Sequence, residues 1–265
     1  MHDRHLPALG PSFWMALCFA SVFGANLGDF FAHDLGLGHL KGLPLLAAAL
    51  GIILLVERFD RFAHEGWYWS AIVVVRTAAT NLADLLCGDL RFPRIWASVA
   101  LAVALGISVT LVWNAWRRSI RRGAMGRGAT GRGAADAAAR KRLVLSADGA
   151  YWLCMLLAGT LGTVMGDYAS HDLHLGDAKA AAALGLPLAC LFAAGGHGRI
   201  WLTGFYWVTV VMVRAAGTAV GDFLAQREVL GLALSTAATG VAFVVVLLVV
   251  NARAARTARA VSSGN

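Results

Sequence analysis

Gly162-Thr163-Val164-Met165-Gly166-Asp167 and Gly217-Thr218-Ala219-Val220-Gly221-Asp222 are two copies of one six-residue phrase, set in apolar surroundings. Each aspartate follows a tryptophan, Trp152 or Trp207, by fifteen residues. Two further copies precede them: Trp14 with Gly24-Ala25-Asn26-Leu27-Gly28-Asp29, and Trp69 with Ala79-Thr80-Asn81-Leu82-Ala83-Asp84. Writing residue n above residue n+138 aligns Trp14 with Trp152, Gly28-Asp29 with Gly166-Asp167, and His33-Asp34-Leu35 with His171-Asp172-Leu173. The same shift aligns Lys41 with Lys179, Tyr68-Trp69 with Tyr206-Trp207, Arg76 with Arg214 and Asp84 with Asp222, without a gap from Trp14 to Leu86. A shift of 55 aligns the two copies within each half, as Asn26-Leu27 with Asn81-Leu82 and Gly166-Asp167 with Gly221-Asp222. Self-similarity at fixed spacing marks internal duplication. One unit is therefore used four times, in two homologous halves.

Lipid is the main solvent for this unit. The 265 residues are 58% hydrophobic and only 14% charged, where a soluble domain is nearer a quarter charged. Apolar runs cover roughly 12–34, 40–56, 66–88, 95–114, 149–172, 179–195, 200–224 and 231–251. A transmembrane helix needs about 20 such residues, so each unit supplies two spans. The expected fold class is all-α integral membrane, with about eight transmembrane helices arranged as four parallel helix-pair repeats in two duplicated halves. Because every unit holds two spans, all four copies enter from one side, the parallel-repeat plan. The first span is read as retained, since the residues around Gly24 match a cleavage site poorly.

The predicted organisation is 1–116 for the first membrane half, 117–148 for a linker and 149–265 for the second half. The linker opens Arg117-Arg118-Ser119-Ile120-Arg121-Arg122, continues as a Gly/Ala/Arg tract and ends Arg140-Lys141-Arg142. Such a composition buries no core. Grouping the termini, the 57–65 loop, the linker and the 196–199 loop on one side gives that side 16 Lys/Arg, against five on the other: Lys41, Arg91, Arg94, Lys179 and Arg227. The positive-inside rule then places both termini and the linker in the cytoplasm of a bacterial inner membrane. The net charge of +8 is accounted for by this topology, so nucleic acid is not an expected partner. The lipid bilayer is the expected partner, with anionic lipid at the basic linker. Cys18, Cys87, Cys154 and Cys190 all lie in apolar segments, and no CxxC pair occurs; they read as small buried hydrophobes.

On the repeated Gly-Asp helix pair, the chain resembles the bacterial "repeat of unknown function" multi-pass membrane family, a group of uncharacterised membrane-anchored proteins. The resemblance covers nearly all of the chain outside the linker and tails. The second copy departs from it, with Ala83 where the other copies carry Gly before the aspartate. The resemblance implies a topology and no activity.

The residues themselves suggest the chemistry. Fifteen helical residues rise about 22 Å. If Trp14, Trp69, Trp152 and Trp207 form an aromatic belt at one interface, then Asp29, Asp84, Asp167 and Asp222 lie at one depth, still within the other half of the bilayer. A carboxylate there costs about 2.5–3.5 kcal/mol on insertion scales. Two readings stand: the aspartates brace helix ends, or they line a polar pathway for a cation or a proton-coupled solute. Arg76 and Arg214 fall about 10 Å inside the belt. Each requires a carboxylate, carbonyls or an anion, and an ion pair with a neighbouring helix is the expected arrangement. His33 and His171 follow Asp29 and Asp167 by four residues, on one helix face, with Asp34 and Asp172 beside them. That set suits a divalent metal or a proton relay, or plain helix-end residues. Small residues four apart precede each aspartate, a spacing that lets helix backbones approach closely. The predicted result is an inner bundle of the four Trp-to-Asp helices inside a lipid-facing shell. No P-loop, GxSxG or HExxH motif is present, so neither an enzyme nor a cofactor is expected. Transporter or channel-like protein and non-transporting scaffold are the two functional readings.

Overall fold

The computed structural model describes residues 6–7, 9–60, 65–124, 149–195 and 203–263. Four helices carry the repeated phrase: α1 Pro11–Asp29, α3 Gly66–Asp84, α5 Gly149–Asp167 and α7 Thr203–Ala225. Four more alternate with them: α2 Gly38–Phe59, α4 Arg94–Ala124, α6 Asp177–Gly195 and α8 Leu232–Ser263. Each of the eight contains a stretch long and apolar enough to cross a membrane. The protein is a multi-pass membrane protein. Residues 117–124, at the start of the predicted linker, continue α4, since arginine and alanine are strong helix formers. The rest of that linker, 125–148, lies outside the described residues, as do Arg4, Arg61 and Arg199.

The odd and even helices divide as their side chains dictate. The apolar windows of α1, α3, α5 and α7 are 50, 50, 67 and 61% buried, and those of α2, α4, α6 and α8 only 11, 11, 11 and 22%. The odd helices carry the small residues, hydroxyls and ions, which find no favourable place in hydrocarbon. They close into a ring in which α1 packs on α3, α3 on α5, α5 on α7 and α7 on α1. The even helices form an outer shell. Each leans chiefly on the inner helix of the next unit rather than on its own: α2 on α3, α4 on α5, α6 on α7 and α8 on α1. The two halves thus share one ring and interlock.

Polar contacts fix this register. His39 Nδ1 at the start of α2 donates to Asp89 Oδ2 at 3.0 Å. Arg94 Nη1 at the start of α4 donates to Asp172 Oδ2 at 2.9 Å. Gln226 Nε2, just past α7, donates to Asp177 Oδ2 at the start of α6, at 2.8 Å. In each case the start of an outer helix meets the end of the next unit's inner helix. The ring closes through Asn26 Nδ2 on α1, which donates to Ser235 Oγ on α8 at 2.9 Å.

The sequence did not forecast how three inner helices end. Directly after Asp29, Asp84 and Asp167 the backbone widens into π-helical turns, Phe30–Asp34, Leu85–Asp89 and Tyr168–Asp172. Their signature bonds span five residues, as Leu35 N–H to Phe30 O at 3.0 Å and Leu90 N–H to Leu85 O at 2.9 Å. Such turns recur at functional sites.

Candidate functional site: a polar axis inside the inner ring

Repeat-equivalent residues of the inner helices stand at one level, so the axis of the ring is a stack of four-residue layers. The first layer is Phe13, Tyr68, Tyr151 and Tyr206, all buried. Tyr68 and Tyr151 share a hydrogen bond of 2.5 Å between hydroxyls, and Tyr151 and Tyr206 one of 3.2 Å. Each ring of this layer leans on the tryptophan of the adjoining helix. Centroid distances are 5.7 Å for Phe13–Trp69, 5.8 Å for Tyr68–Trp152, 5.9 Å for Tyr151–Trp207 and 5.6 Å for Tyr206–Trp14. The tryptophans are therefore interior, at 3–8% exposure, and not the interfacial belt expected of them. Tilted aromatic pairs close around the ring, and burial between helices outweighs the interface preference of the indole.

About 12 Å further along comes the layer Ser21, Arg76, Gly159 and Arg214. The two arginines stand on the diagonal helices α3 and α7, opposite small residues on α1 and α5. Both are fully buried. The close-packing glycines make room for them. A Cβ on Gly24 would stand 2.6 Å from Arg76 Cγ, and one on Gly162 would collide with Arg214 Cβ. The repeated glycines thus serve the arginines as much as the helix crossing.

Arg76 reaches into the next layer, Ala25, Thr80, Thr163 and Thr218. Its Nη1 donates to Thr80 Oγ1 at 2.9 Å and Thr163 Oγ1 at 2.6 Å. Its Nη2 donates to Thr218 Oγ1 at 2.6 Å, and its Nε to the Ser21 carbonyl at 3.3 Å. The expected ion pair with an aspartate is replaced by three hydroxyls and a carbonyl. The carboxylates lie one turn beyond that threonine layer, about 6 Å further along the helices, and among the described ion pairs none joins them to Arg76. Arg214 differs from its mate, because its Nε, Nη1 and Nη2 are buried without a hydrogen-bond partner among the described residues.

The last layer is Asp29, Asp84, Asp167 and Asp222, all half-buried. All four lie within mutual electrostatic reach, and Arg76 feels Asp222, Asp29 and Asp167. Four carboxyl groups at one end of a helix ring, each in the last α-helical turn, also face the negative ends of four helix dipoles. The result is a partly accessible acidic ring at one level.

The predicted histidine set is only partly assembled. His33 Nδ1 donates back to the Asp29 carbonyl at 3.1 Å, and His171 Nδ1 to the Asp167 carbonyl at 3.2 Å. His33 packs against His39, with centroids 5.4 Å apart. Asp34 is exposed, and Asp172 is held by Arg94. Among the described residues no three metal-binding side chains gather. The structure adds residues the sequence reading passed over: the tyrosines, Thr80, Thr163, Thr218 and His39, whose Nε2 lies 4.0 Å from Asp84 Oδ2. The alignment at shifts of 55 and 138 already carried the signal for the tyrosines and threonines, since each recurs in three of the four copies.

An interlocking ring of repeated helix pairs around a charged axis defines a class of multi-pass repeat membrane protein. The family model described as Repeat of Unknown Function (DUF347) matches residues 12–61, 150–195 and 205–260. These stretches make up more than half of the chain, and the chain belongs to this family. They correspond to units one, three and four; the second unit, with its Ala79-xxx-Ala83 variant, is outside them. No curated protein and no solved structure matches the chain.

Proposed function

We propose that the protein is a small transporter or channel-like protein of the bacterial inner membrane, acting on a cation or a proton-coupled small solute, and not an enzyme. The observation that carries this reading is the ring of Asp29, Asp84, Asp167 and Asp222 at one end of one axis, half-buried and in mutual reach. A carboxylate within a membrane span is costly, and four at one level concentrate a field that a purely structural brace does not require. Arg76 is the gate in this reading. Its guanidinium fills the threonine layer with a fixed positive charge, which blocks a cation until the side chain moves. Both termini face the cytoplasm on the balance of Lys and Arg, so the aspartate mouth opens to the outside.

A non-transporting scaffold is favoured by one observation, the four hydrogen bonds that hold Arg76 above a hydrogen-bonded tyrosine layer. Flux decides between the two. Asp29→Asn, Asp84→Asn, Asp167→Asn and Asp222→Asn are each reconstituted in proteoliposomes, and their thermal stability is followed in detergent. Lost cation or proton flux with a retained melting transition supports transport. Wild-type flux in all four variants overturns it. Lowered melting temperatures in the variants, together with no flux in the wild type, support the scaffold.

A further inference from the structure

We propose that Arg214 and the tyrosine layer form a binding site for a small inorganic anion of halide or nitrate size, buried within the inner ring. The guanidinium is fully buried, and none of its three nitrogens meets an acceptor among the described residues. A lone cation in that position needs a counter-charge or a set of acceptors.

Repeat symmetry shows why the chain itself does not supply one. Arg76 draws on Thr80, Thr163 and Thr218. Carried over to the other half, the position of Thr163 falls on Ala25. The Thr218 hydroxyl already accepts from Arg76 and donates to the Arg214 carbonyl at 3.1 Å. One threonine layer therefore serves one arginine, and Arg76 holds it.

The electrostatic neighbours of Arg214 are hydroxyl and thiol groups rather than carboxylates. Beside its burial, the groups that act on it are the phenols of Tyr68, Tyr151 and Tyr206 and the thiol of Cys18. Carboxylates act on Arg76, so the two arginines face opposite compartments of the axis. At the level of Arg214, Ser21 Oγ is also buried without a partner. Neutral O–H groups together with an unpaired guanidinium bind an anion and repel a cation. The space is tight, because Gly162 lies against Arg214 Cβ and Gly217 against Ser21. That favours a monatomic or planar trigonal anion over an organic carboxylate.

This site does not depend on the transport reading, and its test is a binding measurement in detergent. The full-length protein is titrated with sodium bromide, chloride or nitrate, with sodium gluconate holding the ionic strength constant. Thermal unfolding is followed by tryptophan emission. The wild type should show a saturable rise in melting temperature with at least one of the three anions. Arg214→Gln should abolish the saturable response. Tyr151→Phe removes the central hydroxyl of the layer while keeping its ring, and should raise the half-saturating concentration several-fold. If Arg214→Gln does not fold, the Tyr151→Phe comparison decides. A wild type that responds to none of the three anions overturns the site, as does a saturable response in Arg214→Gln equal to wild type. An unchanged midpoint in Tyr151→Phe overturns the part given to the tyrosines. A wild type without an anion response leaves any cation flux through the aspartate end unaffected, so the two proposals fail separately.

Discussion

Arg76 Nη2 donates to Thr218 Oγ1 at 2.6 Å, and Thr218 stands one turn beyond Arg214 on the same helix. The arginine of the first half thus crosses the axis to the helix that carries its own repeat mate. The duplication is two-fold in sequence, but its polar centre is asymmetric because one layer of hydroxyls serves only one of the two guanidiniums.

The threonine layer sets the first expectation. Thr218→Val keeps the side-chain volume and removes an acceptor from a fully buried charge. It should lower stability by about 1–3 kcal/mol. Thr209→Val, whose hydroxyl only bonds its own helix at the Phe205 carbonyl, should cost well under 1 kcal/mol. Melting temperatures of the two variants in one detergent check the difference.

Glycines separate in the same way. Gly24→Ala places a Cβ 2.6 Å from Arg76 Cγ, and overpacking of this kind costs roughly 1–3 kcal/mol. Gly51→Ala on α2 and Gly106→Ala on α4 meet nothing within 4 Å, so they should be neutral or slightly stabilising through helix propensity. Thermal unfolding of all three distinguishes a glycine needed for the arginine from one that is merely present.

Charge reversal tests the interlock of the halves. Arg94 and Asp172 are 29% and 38% exposed, and exposed ion pairs contribute about 0–1 kcal/mol. Arg94→Asp alone should lower stability by no more than about that, since it sets two carboxylates against each other. Arg94→Asp with Asp172→Arg should recover most of the loss. A double-mutant cycle of melting temperatures measures the coupling.

Interleaved packing carries a consequence for expression. Because α4 leans on α5 and α8 on α1, residues 1–116 and 149–265 each leave inner faces uncovered when made alone. Expressed separately they should be unstable in detergent. Co-expressed, they should purify as one complex, which pull-down on a single tag detects.

Much of this was legible in the residues. The repeat at 138 and 55, the spans and the inner and outer helices follow from apolar run length and from the placement of Gly and Asp. The partner of Arg76 was not legible. Spacing along one helix shows which residues are too far away, and it does not show which side chain a neighbouring helix presents. The tryptophans misled for a related reason, because an indole near one end of an apolar span suits a belt and a ring interior equally well. The three π-turns after Asp29, Asp84 and Asp167 leave no composition signal.

The transport reading depends on the four carboxylates sharing one end of one axis. Site-specific labelling reads this directly. In a background with the four native cysteines replaced, cysteine is introduced in turn at positions 29, 84, 167 and 222, and sealed vesicles are treated with a membrane-impermeant thiol reagent from each side. All four positions should react from the same side, the side opposite the chain termini. Labelling from opposite sides, or none at any of the four positions, would contradict the parallel ring and its accessible aspartate end.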